Sequence, residues 1–503
     1  MRKKVIIIGS GLGGLSSGVF LAKAGYDVTI LEQSSRVGGC LQCFTRKGVK
    51  FETGMHFIGS AEKGQTLNNL INALEINDKI QLSRLNTDGY DVISLWGNKY
   101  KFANGREAFI EQMAEYFPHQ RQNLESYWTL VESVANSSSV HTLQFNKGKS
   151  ATEIEYQMRS IDEVIDNVVT DPQLAEVLVG NLPLYAGEKG KTPFSTHAFI
   201  MDFYNQSSFR IVGGSDYIAK ALQEIVEKYG GQVCLRKKVD KIVCNNTHAT
   251  GVVCTDGSSY PADIIISSTH PLRTLEMLGD TPLIRHAYRQ RLKSMTQTIG
   301  GFALYLHFKE DKVPYMNYNY YAYTQESPWN CESYTWDNWP KGYLYMHFCH
   351  EPSPKFAKAG VVLSYMKMED VKQWEGTETG KRGSSYEDFK KRHAERLIES
   401  LEKEFPGISE NIAAYYTSTP LTYVDYTGTE DGSIYGIAKD VSKGAGGRVS
   451  HRTRIPNLLF TGQNVNSHGM LGTLVGTVIT CSEIIGEQKL YDYIANPLDN
   501  TLG

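Results

Sequence analysis

The sequence predicts an α/β protein in which a parallel-sheet domain, assembled from three separate stretches of chain, holds an inserted mixed α+β domain. Three observations predict it. A buried apolar strand runs straight into a glycine turn and a helix over residues 5–24; a second glycine-opened helix, followed by short strands, spans 213–269; and a strand, a turn and an apolar helix complete the pattern at 455–485. Between them the chain changes to long helical periods and tyrosine-rich strands. The expected boundaries place the first domain at 1–75, 205–284 and 431–503, and the second at 76–204 and 285–430.

The first element explains the rest. Val5-Ile6-Ile7-Ile8 reads as a buried parallel strand ending at Gly9-Ser10-Gly11-Leu12-Gly13-Gly14, and the helical pattern runs on to Ala24. Gly9 permits the tight turn, Gly11 lets backbone approach a pyrophosphate, and Gly14 lets helix and strand pack closely. The helix start supplies free N–H groups and a positive dipole end. A second strand, Val28 to Leu31, delivers Glu32 and then Gln33. An acid about twenty positions past the glycines is placed to bond ribose hydroxyls and to repel a 2′-phosphate. Strand, glycines and acid in this order predict a Rossmann-type dinucleotide site.

The next residues separate flavin from nicotinamide. Arg36-Val37-Gly38-Gly39 resembles the R-x-G-G extension of FAD-dependent amine oxidases and carotenoid desaturases. Phe51-Glu52-Thr53-Gly54-Met55-His56-Phe57-Ile58-Gly59 resembles a stretch of the retinol saturase and carotenoid isomerase branch. Gly213 to Leu222, Thr419-Pro420-Leu421-Thr422 with Tyr435-Gly436, and Thr461 to Gly476 match the same branch in the same order. The resemblance implies an FAD domain of the glutathione reductase and amine oxidase kind. It places Gly9, Gly11, Leu12, Gly13, Gly14, Glu32, Gln33, Arg36, Gly38, Gly39, Gly54, Met55 and His56 around the cofactor, with Val239 over the adenine. Gly462, Gln463, Asn464, Gly469, Met470 and Leu471 fall at the ribityl chain and the flavin's pyrimidine edge. Asn464 stands where relatives usually carry an acid, which implies a neutral ribityl hydrogen bond.

The remaining elements follow in order. Residues 61–75 read as a short helix, and Asp91 to Phe102 as a hairpin turning at Gly97-Asn98. Helical periods run from Arg106 to about Thr170. Arg210 to Ile218 opens a helix reaching Tyr229, followed by strands Gln232–Leu235 and Lys241–Cys244, a further arm at Gly251–Cys254 and a buried strand within Ala262–Thr269. Gly300 to Phe308 alternates as a strand, with Tyr343–Phe348 and Val361–Met366 as expected neighbours. Tyr386 to Phe405 is a long charged helix stopped by Pro406-Gly407.

Composition narrows the function. The chain has 503 residues and a net charge of −3, so no broad basic surface points to nucleic acid. No apolar run reaches the length of a membrane span, and nothing cationic and apolar precedes the first strand, so no signal peptide is expected and the location predicted is cytoplasmic, peripheral to a membrane. Eight scattered cysteines suit a reducing compartment. Cys40-Leu41-Gln42-Cys43 follows the glycine pair as redox cysteines do in disulfide reductases, but with shorter spacing; Cys234, Cys244 and Cys254 read as core thiols, and no metal site is expected. Thirty tyrosines suit a large aromatic-walled cavity.

The expected activity is FAD-dependent oxidoreduction of C=C bonds in a hydrophobic polyene or isoprenoid by hydride transfer at flavin N5, as a saturase, desaturase or isomerase, with NAD(P)H as a candidate reductant. The alternatives are an amine or thiol oxidase and a non-enzymatic, isoprenoid-binding escort-like protein. His56 and His468 are candidates to place or protonate substrate, ahead of His197 and Tyr204; for each histidine a purely local hydrogen-bonding role is the commoner outcome. A bilayer-stored substrate implies transient membrane docking, expected near Tyr315 to Tyr321, and no obligate protein partner.

Overall fold

A computed structural model describes residues 2–144, 150–497 and 501–502. Its central parallel sheet takes strands from both ends of the chain, in the order Gln232–Cys234, Asp27–Leu31, Lys4–Ile8, Ile264–Ser267, Leu458–Phe460. Lys4–Ile8 sits in the middle, pairing Ile6 with Thr29 on one side and Ile265 on the other. Burial on both faces explains its unbroken run of aliphatics. The Leu12–Lys23 helix packs on this sheet between the Asp216–Lys228 and Gly469–Ile485 helices. Ser16 and Thr477 share a buried 2.9 Å hydrogen bond across the contact with the last of these.

A second sheet of seven strands has the order Ile412–Ser418, Gly300–Phe308, Ala359–Met366, Gly342–His347, Asn319–Tyr323, Asp91–Leu95, Asn98–Phe102. The Ser384–Glu404 helix covers one face through Ala394, Leu397 and Leu401. Helices from residues 106–206 cover the other through Phe109, Trp128 and Met201. A small antiparallel sheet, Ile58–Gly59, Ser208–Ile211 and Leu82–Arg84, joins three separated segments.

Several expectations shift by a residue or a strand. The hairpin turns at Trp96-Gly97, not Gly97-Asn98: Leu95 pairs with Asn98, and both turn residues have positive φ. The 61–75 helix is the shorter Thr66–Ala73. Gly300–Phe308 is flanked by Ala359–Met366 and Ile412–Ser418, so Gly342–His347 lies one strand further away.

Of the stretch Tyr315 to Tyr321, Tyr320 and Tyr321 are core residues and Tyr315 and Tyr318 are partly buried. Asn319–Tyr323 is an internal strand covered on both faces, which leaves Tyr320 at 1% and Tyr321 at 0% exposure. Tyr320 enters the core under the long helix, and Tyr321 enters the core on the opposite face. No helix among the described residues is long and apolar enough to cross a membrane.

Candidate FAD site and substrate cavity

The glycine turn has three distinct tolerances. A Cβ on Gly14 would lie 2.0 Å from the Gly9 carbonyl oxygen, and one on Gly13 would lie 2.8 Å from Gly462 Cα. A Cβ on Gly11 would meet nothing within 4 Å, so this glycine faces open space while its neighbours are packing constraints. Gly9 itself has φ +95°. The Leu12–Lys23 helix starts at Gly11 with no side-chain cap and no acid in its first turn. Its free N–H groups and the open space over Gly11 form a cradle suited to a pyrophosphate.

Glu32 is buried beside this turn. One carboxylate oxygen accepts from the Ser10 backbone N–H at 2.9 Å and the Ser10 hydroxyl at 2.7 Å, and the other accepts from the Ser34 N–H at 2.8 Å. Two carboxylate oxygens have lone pairs beyond these three bonds, so capacity for ribose hydroxyls remains. Gly38 donates its N–H to the Ser10 carbonyl at 2.9 Å, and Gly39, with φ +53°, backs onto Gly11. The R-x-G-G segment is thereby laced to the glycine turn.

A cavity of about 1200 Å³ begins at Gln33, Arg36 and Lys238, passes Gly39, Cys40 and Gly54, and ends among Tyr305, Tyr415, Tyr416 and Tyr423. Its near half is the nucleotide side; its far half is walled by the edge strand of the seven-stranded sheet. Arg382, paired with Asp425, lines the outer part.

The C-terminal motif closes the nucleotide side. Gly462, at φ +94°, follows Leu458–Phe460, and the Gly469–Ile485 helix begins with His468 as an N-cap whose side chain makes no capping bond. Leu471 is half-buried and Met470 packs into the nucleotide-domain core. The Asn464 carboxamide oxygen accepts from the Ile437 N–H at 2.9 Å, which leaves its NH₂ group for a ribityl hydroxyl. Val239 is buried and paired with Cys254 at the start of an antiparallel arm.

The histidine candidates differ sharply. His56 Nδ1 lies 3.4 Å from a Glu52 carboxylate oxygen, with both side chains buried. Burial raises the Glu52 carboxyl above its ordinary range, opposed by His56 and Arg210. His468 donates from Nε2 to the Leu184 carbonyl at 3.2 Å and stacks on Tyr435 with centroids 4.2 Å apart. Burial and then Lys439 pull its pKa down to about 3, so it stays neutral. His197 is wholly buried between the Tyr127 and Tyr185 hydroxyls at 2.7 and 2.8 Å, a core histidine with both nitrogens occupied. Tyr204 packs against Phe57 at 4.7 Å.

Sequence reasoning left some of these groups unassigned. Glu52 lies inside the motif that presents His56, but nothing in its spacing shows that the chain folds the two together. Arg210, 1% exposed, donates to the His56 carbonyl at 3.3 Å and to Asn319 Oδ1 at 2.9 Å; Asn319 Nδ2 donates to Asp91 Oδ1 at 2.8 Å. Burial raises the Asp91 carboxyl to about 7, with Asn319 and Arg210 opposing the shift. Burial also raises the Cys40 thiol, and burial with Glu52 and Asp216 pushes Cys43 up to about 12, so neither is an activated thiolate.

The comparisons with known proteins give the family and the fold. The chain is 27% identical over 530 residues to all-trans-retinol 13,14-reductase of Rattus norvegicus, covering 97% of this chain and 86% of that one. It is 24% identical over 488 residues to prolycopene isomerase 1 of an Oncidium hybrid cultivar, covering 91% and 79%. The fold matches an oxidoreductase of Methanosarcina mazei with a TM-score of 0.64 at 18% identity, covering 94% and 98%. The model of flavin-containing amine oxidoreductases matches residues 12–379, most of the chain, and with the glycine cradle, Glu32 and the C-terminal motif in place the protein belongs to that family.

Proposed function

We propose that this flavoenzyme acts on C=C bonds of an extended hydrophobic polyene or isoprenoid. The observation that carries the reading is the continuous cavity of about 1200 Å³, which runs from Gln33, Arg36 and Gly39 to a chamber walled by Tyr305, Tyr415, Tyr416 and Tyr423 and has the volume for a large apolar ligand. The retinoid and carotenoid chemistry named for the two relatives supports the same reading. Bound FAD supplies a two-electron hydride centre at N5.

The chain's own residues orient, exclude water and carry a proton. Glu52 faces His56 Nδ1 across 3.4 Å, with both side chains buried, and orients the imidazole. His56 Nδ1 makes no hydrogen bond among the described residues, and His56, two residues beyond the cavity-lining Gly54, is the group assigned to give a proton to substrate carbon. His468, held neutral and bonded to Leu184, serves to position Tyr435 beside the helix start. Reducing equivalents come from NAD(P)H or a carrier protein. An apolar substrate implies transient docking at a bilayer by a protein located in the cytoplasm.

The test is an anaerobic absorbance spectrum of the reduced protein with all-trans retinol. Flavin reoxidation together with a blue-shifted polyene band supports saturation; a change of polyene band shape with the flavin still reduced supports isomerisation. Flavin that binds but leaves the polyene unchanged overturns the reading, and turnover on an amine or thiol panel with oxygen would replace it.

A further inference from the structure

Close to the start of the Gly469–Ile485 helix lies a second, small cavity of about 60 Å³ bordered by Gln463, His468, Tyr185, Thr298 and Lys439. Lys439 makes no hydrogen bond and no ion pair among the described residues. Of the acids around it, Glu188 pairs with Lys191, which also feels Asp440, one Asp440 oxygen accepts from the Ser442 N–H at 2.8 Å, and Glu153 acts on Arg448. Of the other groups it senses, Arg448 is cationic, and His141 and His468 are held neutral. Arg448 lies close enough to lower the Lys439 ammonium, and Lys439 in turn lowers His141 and His468. The Gly469–Ile485 helix adds to this charge, because its N-terminus has no side-chain cap and no acid in the first turn.

A half-buried ammonium with no ion pair among the described residues, beside an uncapped helix start, is electrostatically incomplete. Burial, then Arg448, pulls its pKa down to about 7, as expected where the compensating anion is missing. Gln463 and His468 border the same cavity and belong to the motif expected at the flavin's pyrimidine edge. Two electrons and one proton leave a reduced flavin as an anion, with its charge on the N1–C2=O edge.

We propose that Lys439 is the counter-cation of that anionic edge, acting with the helix N-terminus to set the reduction potential of the bound flavin. The proposal rests on the FAD reading above. It assigns the residue to tuning the cofactor, separately from whatever substrate is used.

The test is made on the FAD-loaded protein with Lys439→Met and Lys439→Arg, after flavin content and melting temperature confirm that each is folded and loaded. Sulfite, which adds to oxidised flavin and leaves the same negative charge at N1–C2=O, is the probe, alongside spectroelectrochemical titration. Lys439→Met should weaken sulfite binding at least about tenfold and lower the two-electron midpoint, each tenfold loss in reduced-state stabilisation being about 30 mV. Lys439→Arg, which keeps the charge, should stay near wild type. Loaded Lys439→Met with unchanged sulfite affinity and unchanged midpoint overturns the proposal, as does equal loss in both variants. Should Lys439→Met fail to fold or load, the wild-type midpoint decides: it should fall as pH rises past the Lys439 titration more steeply than in Lys439→Arg, and identical slopes overturn the proposal. A wild-type protein that binds no flavin overturns the FAD reading itself.

Discussion

Replacing Asp91 by Asn should make stability less dependent on pH. Asp91 is wholly buried, and the hydrogen bond from Asn319 can be accepted equally well by the Asn carbonyl, with Tyr321 and Asn181 also facing the carboxyl. Burial raises its carboxyl from 3.8 to about 7. The wild-type group therefore stabilises the fold in its protonated form, fully below about pH 4, and that contribution is lost as pH rises toward about 7, where the folded state must carry a buried carboxylate. At 1.36 kcal/mol per pH unit the difference reaches about 4 kcal/mol, an upper figure because Arg210 and local rearrangement relieve part of it. Asn carries no charge at any pH. Melting curves of both proteins at pH 4, 5, 6, 7 and 8 should show the variant gaining on wild type by about 2–4 kcal/mol across that interval. Parallel curves would refute the reasoning, because Asp91 would then titrate alike in the folded and unfolded chains.

The glycine turn provides a paired test: Gly14→Ala should cost about 3 kcal/mol of stability by driving a Cβ into the Gly9 carbonyl, whereas Gly11→Ala should melt like wild type yet bind FAD at least about tenfold more weakly, as measured by flavin retention on dialysis. His56→Gln should lower turnover by about 10²-fold or more with flavin content unchanged, and His468→Gln should lower it less, since His468 has no free proton to give; equal, unimpaired turnover in both would remove His56 from the chemistry. Reductive titration should consume two electrons per flavin, because the Cys40 and Cys43 thiols stay outside the redox cycle; a four-electron end point would show an active dithiol.

The nucleotide half was readable because its signals are local. Strand, glycine turn, helix and acid lie within residues 4–32, and steric demands such as the 2.0 Å approach at Gly14 leave few alternatives to glycine. The seven-stranded sheet was less readable. Asn319–Tyr323 pairs in parallel with Asp91–Leu95, far earlier in the chain, and both strands are covered on two faces, so neither alternation nor tyrosine content reveals which side is wet. That is why tyrosines expected at a membrane turned out to be core. The His56–Glu52 approach and the unpaired Lys439 were invisible for another reason. A charge shows whether it lacks a partner only after every neighbour is known.

The parallel sheet has a consequence for biogenesis. Its central strand, Lys4–Ile8, is synthesised long before the edge strand Leu458–Phe460 and the helix whose start borders the cofactor site. The glycine turn therefore waits, with an exposed strand edge, while the several hundred residues between these strands are made, and the slot for the prosthetic group exists only afterwards. Flavin insertion must follow synthesis of Leu458–Phe460 and the Gly469–Ile485 helix, and chains starved of flavin should accumulate as protease-sensitive intermediates that already contain both elements.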